Sequence, residues 1–219
     1  AIRTIADINE VANARILADT QVSSAKIASS AEVHATALLA AAELLRLKIQ
    51  NRKMSEPTRG EIDSSVVSEF TRVAEGEIKG TSRSAVEQIN AEARLAIAKI
   101  SENAKEAISQ INNIATKISN QVHENARIAK GKLQEAQKSP RTPESVAIEA
   151  EKAAVKISAH AVAASESLMG VVKETIDAMM KSADVAVGVI SKTVKEATER
   201  IVDARDKALK RIHGFLTLW

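Results

Sequence analysis

Residues 74–118 read AEGEIKGTSRSAVEQINAEARLAIAKISENAKEAISQINNIATKI, and their spacing decides the fold. Ile78, Ile89, Ile100 and Ile111 recur every eleven residues, with Ala74, Ala85, Ala96 and Ala107 keeping the same step beside them. Ala93, Ala104 and Ala115 form a further lane of small residues. Eleven residues in three turns is about 3.67 per turn, close to the natural α-helix, so such lanes seam long helices with little or slightly right-handed supercoil. The stretch therefore predicts a long helix with one buried side.

The same step runs outward in both directions. Val67 precedes the isoleucine lane, Val122 and Leu133 extend it, and Ile118 and Ala129 continue the alanine lane. Toward the N-terminus, Ile5, Ile16, Ile27, Leu38 and Ile49 form one lane, and Val11, Val22, Val33 and Leu44 form another beside it. Toward the C-terminus the lane is Val146, Ile157, Leu168, Met179, Ile190, Ile201 and Ile212, accompanied by Ala154, Ser165, Ile176, Val187, Thr198 and Leu209.

Two interruptions divide the pattern. Pro57 disfavours helix at Glu56, and Thr58 with Glu61 has the spacing of a capping box. Pro140 stops the second helix; Thr142 can cap the third, with Pro143 at its first position and Glu144 near its positive end. Gly76 and Gly80 leave the register intact, which favours a bend or a close packing point over a domain boundary, and Gly170 and Gly188 again fail to reset it. The expected fold is all-α: a long antiparallel helical bundle or coiled coil with hendecad repeats and two sharp turns. Residues 1–219 form a single elongated three-helix domain, with helices at approximately 4–53, 61–138 and 143–213. The first helix, about 75 Å long at 1.5 Å per residue, should lie beside the second as far as Ile108 or Ile111, leaving a two-stranded extension near Pro140. This topology carries Phe215 and Trp219 back toward Phe70, predicting an aromatic cluster near the first turn.

Composition narrows the function classes. The 219 residues contain no Cys and no Tyr, and only Phe70, Phe215 and Trp219 are aromatic, so Ala, Ile and Val carry the apolar surface. Absence of Cys excludes disulfides and thiol catalysis. A net charge of +3, spread without a long basic tract, argues against specific nucleic-acid binding. No apolar run is long enough to span a bilayer, and the N-terminus lacks a signal-peptide pattern. The chain starts at Ala1, so a removed segment stays open and cytoplasmic is the default location.

The residues that bear chemistry have structural explanations. His34, His123 and His213 directly follow lane residues, and with His160 they read as surface or seam-edge histidines. In an antiparallel hairpin His123 and His160 fall at similar heights near Glu124, where two imidazoles and one carboxylate would make a plausible metal set. Ser29, Ser165 and Thr198 occupy places otherwise held by Ala or Val, which suits packing and helix-internal hydrogen bonds. Asp184, Glu196 and Glu199 sit among alternating charges typical of a wetted helix face. No glycine-rich phosphate loop and no dinucleotide fingerprint occurs. No catalytic, cofactor-binding or metal residue is therefore assigned, and the chain does not read as an enzyme.

The residues 46–54, which include Arg46, Lys48, Arg52 and Lys53, are locally basic, as are Lys207, Lys210 and Arg211 before Phe215 and Trp219. Folding brings these stretches to one end, where they could dock a protein partner or touch an anionic membrane. The favoured function is a noncatalytic elongated scaffold, spacer or self-assembling structural protein. The alternative is an amphipathic helical protein of a membrane or particle surface. The partners expected are a second copy or a helical protein, no specific nucleic acid, and a membrane touched peripherally through the C-terminal segment. Through lanes such as Ile78/Ile89/Ile100 and Ala93/Ala104/Ala115 the repeat resembles the right-handed coiled-coil stalk of the peripheral-stalk b subunit of rotary ATP synthases. The likeness is in repeat type alone, transfers no site residue, and departs from that family in the two sharp turns.

Overall fold

A computed structural model describes the backbone of residues 2–55, 64–138 and 143–216, with the side chains of those residues apart from 49, 52–55, 64–67, 215 and 216. It contains three α-helices: α1 (Ile2–Ser55, 54 residues), α2 (Ser64–Gln137, 74 residues) and α3 (Glu144–Leu216, 73 residues). The described residues form an all-α three-helix bundle. Isolated helices gain little from propensity alone, so each depends on burying one face.

On α2 that face is Ala74, Ile78, Ser82, Ala85, Ile89, Ala93, Ala96, Ile100, Ala104, Ala107, Ile111 and Ala115, at steps of four, four and three. On α1 it is Ile5, Ala12, Ile16, Thr20, Ile27, Ala31, Ala35, Leu38 and Ala42. On α3 the most deeply buried positions include Met179, Ile190, Ile201 and Ile212. Among the described residues the largest fully buried side chains are four per helix: Ile5, Ile16, Ile27 and Leu38; Ile78, Ile89, Ile100 and Ile111; Met179, Ile190, Ile201 and Ile212. Burying each such side chain contributes about 1.5–3 kcal/mol relative to leaving it in water. The intervening alanines supply close approach at little cost in side-chain entropy.

The second lane expected on α1 turns out of the buried seam. Val11, Val22, Val33 and Leu44 are 53, 69, 64 and 56 % exposed. The reason is angular: at 3.6 residues per turn, Val11 projects about 120° away from Ile5, too far to share a seam. Val146, the first member of the α3 lane, is also exposed.

The chain divides into two compact units, each drawing on all three helices. Unit 1 comprises Ala1–Leu17 with Ser101–Asp184, and unit 2 comprises Ala18–Ile100 with Val185–Trp219. Within unit 2, ion pairs join different helices: Lys99 Nζ to Asp19 Oδ1 at 2.7 Å, Arg200 to Glu32 at 3.2 Å, and His213 Nε2 to Glu75 Oε1 at 2.6 Å. Within unit 1, deep burial fades along α2. Ala115 is the last buried residue of that helix, and Ile118, Val122, Ala126, Ala129 and Leu133 are half-buried.

Pro57, Thr58, Glu61, Pro140 and Thr142 lie outside the described residues, as does the aromatic cluster expected of Phe215 and Trp219. Pro143 stands one position earlier than expected. Its carbonyl accepts the first backbone bonds of α3, from Val146 N at 3.0 Å and Ala147 N at 3.1 Å, which makes it the cap rather than the first helical residue. Glu144 then occupies the first turn, where a carboxylate favours the helix dipole. The close packing point expected at Gly76 and Gly80 is corrected: a Cβ added there, or at Gly170 or Gly188, meets nothing within 4 Å.

Candidate functional site

The histidines do not assemble a metal centre. His123 and His160 are both exposed, and among the described residues no group of three or more His, Cys, Asp or Glu side chains is placed to hold a metal ion. Glu124, which was to complete the set, is engaged on its own helix. Arg127 donates to both of its carboxylate oxygens at 2.8 Å, and this hydrogen bonding holds the carboxyl below the usual carboxylate range. His213, by contrast, joins α3 to α2. The Glu75 carboxylate that meets its ring also accepts from Lys79 Nζ at 2.9 Å. His213 first, and Lys79 next, lower the pKa of Glu75.

The hydroxyl residues divide into two kinds. Ser158, Thr175, Ser191 and Thr193 donate to carbonyls four residues back on α3, which satisfies them within the helix. Ser165 departs from the expected helix-internal bond: its Oγ lies 2.5 Å from Ser119 Oγ on α2. Among the described residues, neither hydroxyl of this pair is hydrogen-bonded to a histidine or carboxylate that could serve as its base. Glu196 and Glu199 pair with Lys192 and Lys195 on the same helix, each at 3.9 Å, as a solvated face does.

A cleft of about 330 Å³ lies within unit 1 between α1 and α2. Ile8, Val11, Ala12 and Ala107 supply its apolar surface, and Asp7, Arg15, Asn103, Glu106 and Gln110 its polar rim. Gln110 donates to Glu106 at 3.2 Å. The rim carries charge of both signs with no convergence on one point, so the cleft has the chemistry of an open helix–helix groove.

Some bases of the basic end pair with acids of their own helices. Arg46 bonds Glu43 at 2.7 Å, Lys207 bonds Asp203 at 2.6 Å and Arg205 bonds Asp206 at 2.7 Å. Arg211 is also near enough to contribute to lowering the pKa of Glu43, after the larger effect of Arg46. The expected peripheral membrane contact through the C-terminal segment is corrected here. Among the described residues no helix is long and apolar enough to cross a membrane. Among the described side chains of the last turns of α3, Ile201, Ala204, Ala208 and Ile212 are buried in the bundle. A second copy or helical partner is expected on the two-stranded arm, where Val122, Leu133 and Ile157 are half-buried; on the deeper lanes the chain's own helices already leave twelve large described side chains under 2 % exposed.

Sequence reasoning missed the contacts that tie one helix to another: Ser119 to Ser165, Asp19 to Lys99 and Glu32 to Arg200. For Ser165 a signal existed, a hydroxyl in a lane otherwise held by Ala, Ile and Val. For the ion pairs none did, because every helix carries many such charges.

No protein-family model matches the chain, and no curated protein does. Among solved structures it is similar to one described as a computationally designed three helix bundle. The identity is 14 %, over 99 % of this chain and 95 % of that one, with a TM-score of 0.49.

Proposed function

We propose that the chain is a noncatalytic scaffold or spacer: one elongated hendecad coiled-coil domain whose work is to hold attached surfaces at a set separation. The observation that carries this reading is the placement of the large buried side chains. Four fall on each helix at eleven-residue steps, on helices of 54, 74 and 73 residues. An eleven-residue step keeps an apolar lane nearly straight along a helix, so a seam of this kind can run for many turns without winding off its partners. Long helices joined this way convert apolar burial into fixed length.

Small-angle scattering with absolute mass tests the proposal. The expected result is a radius of gyration well above the roughly 17 Å of a compact globule of 219 residues. A value near that figure overturns the reading. The mass measured in the same experiment separates a spacer made of one chain from a self-assembling element.

A further inference from the structure

Unit 1 holds a hairpin, residues 116–137 of α2 with 144–164 of α3, whose apolar content is thin. None of its described α2 side chains is buried, and on α3 only Ala154 and Ala161 are. The seam consists of half-buried aliphatic residues at steps of three and four, such as Ile118, Val122 and Ile157. A seam of that kind, half-buried throughout on α2, contributes less to register than the fully buried lanes do.

Two polar contacts do distinguish registers. Ser119 Oγ meets Ser165 Oγ at 2.5 Å, and Gln137 Nε2 donates to the Ala147 carbonyl at 2.8 Å. Ser119 lies eighteen residues before Gln137, and Ser165 lies eighteen after Ala147, so both contacts belong to one antiparallel register. A displacement of four residues would set Ser119 opposite Ala161 or Met169, neither of which has a side-chain oxygen. Both hydroxyls would then be left half-covered without each other. A hydrogen bond in such a place adds modestly to stability, and only the observed register makes it.

We propose that the Ser119–Ser165 pair, seconded by Gln137 and the Ala147 carbonyl, is a register lock that favours the observed hairpin alignment over those displaced by a helical turn. Polar groups between packed helices are best attested in this specifying role, and one-turn ratchets between packed elements are an established conformational change. The pair adds a register-specific contact at the end of α2 and α3 where no described α2 side chain is buried.

The chain has no cysteine, so introduced thiols are the only labelling sites. Spin labels on Lys117→Cys and Glu151→Cys, both exposed and offset along the hairpin axis, report sliding as a change in distance. The parent carrying these labels should give one distance. The Ser119→Ala/Ser165→Ala/Gln137→Ala variant should add a second population displaced by about 5 Å, one turn. An unchanged single distance in that variant, with helical content preserved by circular dichroism, overturns the proposal even if the melting temperature falls. Should the triple variant lose helix, Ser119→Ala alone is read by the same distance, and an unchanged distribution there is equally fatal.

Discussion

Val33 and Ile27 lie six residues apart on α1, yet one is 64 % exposed and the other 1 %. Both belong to eleven-residue lanes, so the difference comes from azimuth rather than from residue type. Ile27→Ala should therefore cost about 2–5 kcal/mol by deleting buried methyl groups and leaving a cavity. Val33→Ala should change stability by no more than about 0.5 kcal/mol; urea unfolding of both variants measures the contrast. At the same scale, Glu43, Glu69, Glu75 and Glu124 all have lowered pKa values, because Arg46, Arg72, His213 with Lys79, and Arg127 respectively bond their ionised forms. A depressed carboxyl pKa stabilises the fold above the unfolded carboxylate value of about 4.3 and loses that contribution as pH falls through the folded value. The melting temperature should thus decline below about pH 4, and replacing these four residues with Gln should flatten the decline. An equal slope in the parent and the Gln variant would show that other groups control acid unfolding. The exposed lanes were written in the sequence and misread there, since a shared period does not establish a shared face.

At the scale of elements, the helices were legible because their apolar steps match the helix period and their glycines do not shift it. Gly76, Gly80, Gly170 and Gly188 lie inside α2 and α3, have no positive φ, and leave open space where a Cβ would stand. Each Gly→Ala replacement should stabilise the protein by about 0.5–1 kcal/mol, seen as a rise in melting temperature. Destabilisation at any of these positions would mean that its backbone carries a demand the packing does not reveal. Pro143 was legible as a helix boundary but not as the cap, because sequence alone cannot say which carbonyl accepts the first bond. The cross-helix contacts were not legible at all. Lys99 has several acidic candidates within reach along any antiparallel partner, and only the packed register chooses Asp19.

For the whole molecule, deep burial is uneven in a way that hydrogen exchange should report. Residues 82–96 of α2, in unit 2, include five buried positions: Ser82, Ala85, Ile89, Ala93 and Ala96. Residues 119–135, in unit 1, include none. Amides of the second stretch should exchange faster, since local opening costs less where few apolar contacts break; equal protection in both would refute this gradient. The candidate metal set followed the same logic of scale. Matching heights of His123 and His160 could be read along the chain, but the direction each side chain takes could not. By itself the sequence determined three α-helices and the residue step of their buried faces, because apolar period and proline position act through local backbone geometry. Only the tertiary structure decided which lane goes inward, which charges pair across helices, and that Ser119 finds Ser165. Those outcomes depend on the azimuth and register of one helix against another, which no local spacing encodes.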